Sequence, residues 1–257
     1  MKIAIQLASL RLPFDKSLLT AAKLGAAGVE IDARKQLLPR EMSRTAIRQV
    51  RKMLEDLNLR AAAVAFPTTR GYHVAENLDQ RIDGTKAALK LAYELGASVV
   101  VNHVGLVPAQ SEGPEWTRLV EALTDIGRYG QRVGALLCAE TGSESGPDLK
   151  RLIDALPTGS IGVTFDPGNL VINDFDPLES LRVLGTNVLY VQATDAVRDL
   201  ARRRGAEVQL GRGSVDYSSL LGLLEEQEYR GWFTLERHES PDVARELEQG
   251  VRFLKSF

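Results

Sequence analysis

Residues 91–105, LAYELGASVVVNHVG, carry the pattern that decides the architecture. Apolar residues at helical spacing run to Gly96, a helix-stopping residue, and a short valine-rich strand signal follows at once, ending in the polar pair Asn102-His103. That is helix, stop, strand and polar strand end in fifteen residues.

Working outward, the same alternation recurs along the whole chain. Strands are predicted at KIAIQL (2–7), GVEID (28–32), RAAAVAF (60–66), SVVVNH (98–103), ALLCAE (135–140), SIGVTFD (160–166), NVLYVQAT (187–194) and GWFTLE (231–236). Between them the periodicity predicts helices over Lys16–Leu24, Met42–Asn58, Leu78–Leu95, Glu115–Val133, Pro147–Leu156, Pro177–Leu184, Tyr217–Glu226 and Pro241–Leu254. Ser43 stands before one of these helices and Pro241 opens the last. Eight βα units at a spacing of roughly 32 residues match a single-domain (β/α)8 TIM barrel over residues 1–257. An open doubly wound sheet is the competing architecture. The first strand runs into QLASLRLP, which offers no G-x-G-x-x-G turn, and that weighs against it. The long connection Asp195–Gly213, with four arginines between Arg198 and Arg204, is expected to be a mobile active-site loop.

Composition narrows the functions. With 44% hydrophobic and 26% charged residues the chain can bury a sizeable core, which excludes disorder and fibrous folds. A net charge of −2 provides no basic field, so no nucleic-acid partner is expected. No apolar run approaches the length of a membrane span, the first residues do not read as a signal peptide, and Cys138 has no internal partner. A cytoplasmic location and no membrane contact are therefore expected. Three histidines rule out a site built from several imidazoles, so any metal must be held mostly by oxygen.

In a parallel barrel the active site lies at the carboxyl ends of the strands. Here those ends carry Asn102-His103, Glu140, Asp166, Gln192 with Asp195, and Glu236 with Arg237. Three carboxylates at one mouth raise one another's pKa, and a divalent cation relieves the repulsion. Oxygen donors favour Mn²⁺ or Mg²⁺, with Zn²⁺ or Co²⁺ as alternatives. The bland reading for each acid alone is a helix cap or a loop ion pair, most of all for Asp166 before Pro167-Gly168-Asn169. Trp116 and Trp232 read as packing residues, Gly211 and Gly213 as turn geometry, and His73 and His238 have no assigned role.

The closing stretch QLGRGSVDYSSLLGLLEEQEYRGWFTLER (209–237), with LAYELGASVVVNHVG and VTFDPGNL (163–170), resembles the sugar phosphate isomerase/epimerase family of xylose isomerase-like barrels, and the likeness runs over nearly the whole chain. The resemblance implies a metal held by Glu140, Asp166 and Glu236, with Gln192 where the family has histidine. It implies Glu140 and Glu236 as the proton-transferring pair. It points to His103 as a substrate contact, with a ring satisfied by backbone at the barrel rim as the alternative, and to Arg198, with a solvated loop residue as the alternative. Asn169 stands where many relatives have histidine, and it is expected to contact substrate together with the strand-end residues Asp195 and Arg237. Gln192 departs from the pattern, because an amide oxygen is a neutral and weaker donor than imidazole. Two functions follow. One is a divalent-metal-dependent isomerase or epimerase of a small sugar or polyol ketone, with a carbohydrate substrate and a homo-oligomer allowed. The other is a non-catalytic sugar-binding or interaction barrel that has lost the metal site.

Overall fold

The computed structural model describes residues 1–199, 204–238 and 240–257. Eight parallel strands close into a ring: β1 (Lys2–Gln6), β2 (Gly28–Asp32), β3 (Arg60–Ala65), β4 (Val99–Asn102), β5 (Leu136–Glu140), β6 (Gly162–Phe165), β7 (Val188–Ala193) and, after an inserted pair, β10 (Trp232–Leu235). The ring is sealed where β1 pairs with β10, Ile5 lying opposite Leu235. Around it lie α1 (Phe14–Lys23), α2 (Arg44–Asp56), α3 (Leu78–Leu95), α4 (Gly113–Val133), α5 (Gly146–Asp154), α6 (Pro167–Ile172), α7 (Pro177–Leu184), α8 (Tyr217–Glu226) and α9 (Val243–Leu254). The (β/α)8 barrel expected from the sequence is the fold observed, with every barrel strand within two residues of its predicted ends.

One expectation is corrected. The connection Asp195–Gly213, expected to be a long mobile loop, instead carries a two-stranded antiparallel sheet, β8 (Asp195–Asp199) and β9 (Arg204–Val208). Its strands are short and charged, so a search for apolar runs passes over them. Arg202 and Arg203 of the arginine run lie outside the described residues. The short helix α6 was also not expected.

Strand alternation explains how the barrel presents its chemistry. Ile3, Ile5, Val29, Ile31, Leu137, Val163, Phe165, Val191, Phe233 and Leu235 pack into the large core shared with the helices. The opposite parity faces the barrel axis and is polar toward the carboxyl ends: Gln6, Glu30, Glu140, Thr164, Gln192 and Thr234, with Asp166 and Glu236 one residue past β6 and β10. Helix ends are fixed by side-chain caps, including Ser43 on α2, as its position predicted, Ser145 on α5 and Asp216 on α8. Among the described residues no helix is long and apolar enough to cross a membrane.

Candidate active site at the carboxyl ends of the strands

Register brings the axis-facing polar residues side by side. Gln6 lies opposite Glu30 across β1 and β2, Gln192 opposite Thr234 across β7 and β10, and Glu140 opposite Thr164 across β5 and β6. From this arrangement a connected network forms. The Gln6 amide donates to Glu30 Oε1 at 3.0 Å and also to Glu236 Oε2. Gln192 Nε2 donates to that same Glu236 oxygen at 3.0 Å. Asp166 Oδ1 accepts from the Thr194 hydroxyl and from the Asn169 N–H at 2.7 Å, so Asp166 caps α6 and faces the site at once. His103 Nε2 stands 3.4 Å from Glu140 Oε1.

These acids do not hold their protons like solvated ones. Burial, then the charges of Asp166 and Glu30, holds the Glu140 carboxyl well above the usual carboxylate range. Glu236 is raised in the same way, by burial first and then by Asp166, Glu140 and Glu30. Asp166 is pushed up to about 6 by burial, against the opposing hydrogen bonds from Thr194 and Asn169. Glu30 reaches about 7, again by burial first. Burial also lowers the His103 pKa, which favours the neutral ring beside Glu140.

Glu140, Asp166 and Glu236 are thus brought within reach of one another's charge, with Gln192 joined to them through Glu236. Other expected contacts are engaged elsewhere. Asp195 is buried, and its carboxylate accepts from the backbone N–H groups of Ala196, Gly211, Gly213 and Val215 at 2.8–3.1 Å. A β-carbon on Gly213 would collide with Asp195 Oδ1, so glycine is what lets this turn close on the acid. Asp195 thereby organises the turn before α8. Arg198 lies on β8 and pairs with Asp174 at 2.7 Å, both side chains more than half exposed. Arg237 is buried between Glu207 at 3.0 Å and Glu246 at 2.6 Å, tying β9 and α9 to the end of β10. The Asn169 amide donates to the Thr141 carbonyl at 2.9 Å and its oxygen accepts from Asn173.

Three acidic or amide positions escaped the sequence reading. Gln6 and Glu30 sit inside the barrel on β1 and β2, and Glu144, in the loop after β5, is buried with neither carboxylate oxygen hydrogen-bonded. A signal existed for Glu30: it interrupts the apolar run GVEID at an inward-facing position.

The donor set fits a hard divalent cation in kind. Glu140, Asp166 and Glu236 supply anionic oxygens, and Gln192 Oε1 is buried with no hydrogen-bond partner. Among the described residues, no three His, Cys, Asp or Glu side chains yet stand close enough to share one ion, so binding requires these oxygens to draw together.

Known proteins place this architecture. A family model described as xylose isomerase-like TIM barrel matches residues 18–257. The chain is 23% identical over 233 residues to an inosose dehydratase of Bacillus thuringiensis (strain Al Hakam), covering 79% of this chain and 77% of that one. A xylose isomerase domain protein from Planctomyces limnophilus superposes with a TM-score of 0.87 at 23% identity, over 99% of this chain and 96% of that one. D-psicose 3-epimerase from Clostridium cellulolyticum H10, solved with D-tagatose, gives 0.80 at 15% identity over 100% and 99% of the two chains. A xylose isomerase-like barrel from Mycobacterium smegmatis in complex with magnesium gives 0.78 at 20% identity over 99% and 97%. At these identities the structural likeness is one of fold.

Proposed function

This chain belongs to the xylose isomerase-like TIM barrel family, and from that premise we propose that it isomerises or epimerises a small sugar or polyol ketone by moving a proton beside the carbonyl. The observation that carries the reading is the pair Glu140 and Glu236, two buried carboxyls with raised pKa at the ends of β5 and β10. These strands stand three places apart in the ring of eight, which suits groups acting on two faces of one substrate. One carboxylate takes the C–H proton and leaves an ene-diolate. The other, protonated at neutral pH because of its surroundings, returns a proton to the neighbouring carbon or to the opposite face. His103, 3.4 Å from Glu140, is placed to bind a substrate oxygen. Removing water from an inosose and inverting a carbon beside a ketone both begin with the same proton abstraction, so the named relatives support this chemistry.

Glu140, Asp166, Glu236 and the Gln192 carbonyl would hold the cation, Mn²⁺ or Mg²⁺ by donor type, with Zn²⁺ or Co²⁺ as alternatives. Its chemistry there is to stabilise negative charge on the substrate oxygens. A panel of ketoses and an inosose, incubated in D₂O with and without Mn²⁺, tests the proposal by NMR: deuterium should enter beside the carbonyl, and Glu140→Gln and Glu236→Gln should stop it. No incorporation with any member of the panel would favour the second reading, a sugar-binding barrel without catalysis. That reading draws its support from Gln192, whose amide hydrogen-bonds Glu236 where the family pattern has histidine.

A further inference from the structure

The Gln6 side chain touches an acid from each strand that flanks β1: Glu30 within β2 and Glu236 just past β10. Its carbonyl is fixed by the Ser9 hydroxyl at 2.8 Å. Ser9 Oγ in turn accepts the Arg237 backbone N–H at 3.1 Å. The Gln6 amide nitrogen donates to Glu30 Oε1 at 3.0 Å and to Glu236 Oε2. Two carboxylates need donors, and only the NH₂ edge supplies them, so turning the amide over would set its oxygen against both acids. Ser9 and Gln6 together therefore grip residue 236 by its side chain and residue 237 by its backbone. This happens where β1 and β10 close the ring.

The consequence falls on one atom. Glu236 Oε2 is tied inward by Gln6 and Gln192. Oε1 carries neither of these bonds and lies 3.9 Å from Nδ1 of the exposed His238. We infer that Gln6 is a positioning residue for Glu236, holding Oε2 down so that Oε1 is the oxygen presented to whatever occupies the mouth. Glu30 is the second anchor of that amide. The inference rests on the proton-transfer reading for the part Oε1 plays in turnover, but the geometry it asserts is independent of turnover.

Crystal structures of the wild-type protein and of Gln6→Leu test it directly. Glu236 Oε2 should leave its inward position in the variant while the barrel is unchanged, and a Glu236 side chain left in place overturns the inference. If Gln6→Leu does not fold, Ser9→Ala removes the hydroxyl that fixes the amide, together with the acceptor of the Arg237 N–H, and should loosen Glu236 to a lesser degree. On the ketose that the wild type turns over, Gln6→Leu should lower kcat by roughly 10–100-fold with KM within about twofold, the signature of a misplaced group and not of lost binding. In a Glu236→Gln background the same change should add no further loss. An unchanged kcat, or a fall in kcat/KM caused by KM alone, overturns the positioning role. Should the wild type turn over nothing while Glu236 still swings out in Gln6→Leu, the functional reading fails and the positioning stands.

Discussion

Asp195 and Glu140 are acids near the same barrel mouth, the first buried and the second nearly so, and they have opposite surroundings. Asp195 is met by four backbone N–H groups, each within 3.1 Å, so its charge is fully compensated and it serves to fold the turn before α8. Among the described residues Glu140 has the His103 ring at 3.4 Å and like charges around it, and burial with those charges holds its carboxyl well above the ordinary range. Burial is common to both. The number of donors separates the acid that builds structure from the acid available for chemistry.

The sharpest way to break this contrast is to neutralise one acid of each kind. Glu140→Gln and Glu236→Gln should cut turnover by roughly 10²–10⁴-fold, yet melt no lower than wild type at pH 8 in metal-free buffer, because each replaces a carboxyl whose charged form burial and neighbouring acids disfavour. Unfolding of either variant would move that residue to the structural class.

A pH series on the metal-free protein tests the same idea without mutation. Glu30 titrates near 7 when folded, against an ordinary 4.5, so the native state holds this proton more tightly than the unfolded chain does. Its stabilising contribution is complete below about pH 4.5 and disappears as pH rises through 7, on the order of 3 kcal/mol from this group. Asp166, near 6, and Glu144, pushed to about 8 by burial, carry the same sign. Urea denaturation should show stability falling from pH 5 to pH 8, and Glu30→Gln should flatten the fall. A flat wild-type profile would mean these carboxyls are better solvated than their burial indicates.

Asp195→Asn should do the reverse of the glutamate changes, losing about 2–3 kcal/mol by leaving backbone donors short of an acceptor. Denaturant midpoints at pH 7 measure it. The smallest effect is expected of Gln192→His. An imidazole there should tighten Zn²⁺ or Co²⁺ binding by about tenfold, roughly 1.4 kcal/mol, read by calorimetry. Tight binding in the wild type without a gain would place Gln192 outside the ligand set.

How much could be read beforehand follows from the same distinction. The strands were legible because buried runs such as SVVVNH and ALLCAE alternate with long amphipathic segments, a pattern that packing imposes locally. Glu140, Asp166 and Glu236 were legible because a parallel barrel dictates where strand ends point. Gln6 was not, since its role depends on Glu30 and Glu236, 24 and 230 residues away. Nor was the engagement of Asp195 and Arg237, whose partners Gly213, Glu207 and Glu246 lie on other elements. The β8–β9 hairpin stayed hidden because its strands lack an apolar face to announce them.

The seam between β1 and β10 has a consequence for how the protein is made. The first strand to emerge during synthesis must wait for the last before its open edge is paired. Until then β1 and β7 are exposed edges of an unclosed sheet, the kind that captures other chains. A hydrogen bond spanning 230 residues, Gln6 to Glu236, is among the last to be reachable. Chains cut short before residue 232 would thus be aggregation-prone, and the acid cluster would be completed in the same event that removes the sheet's last free edge.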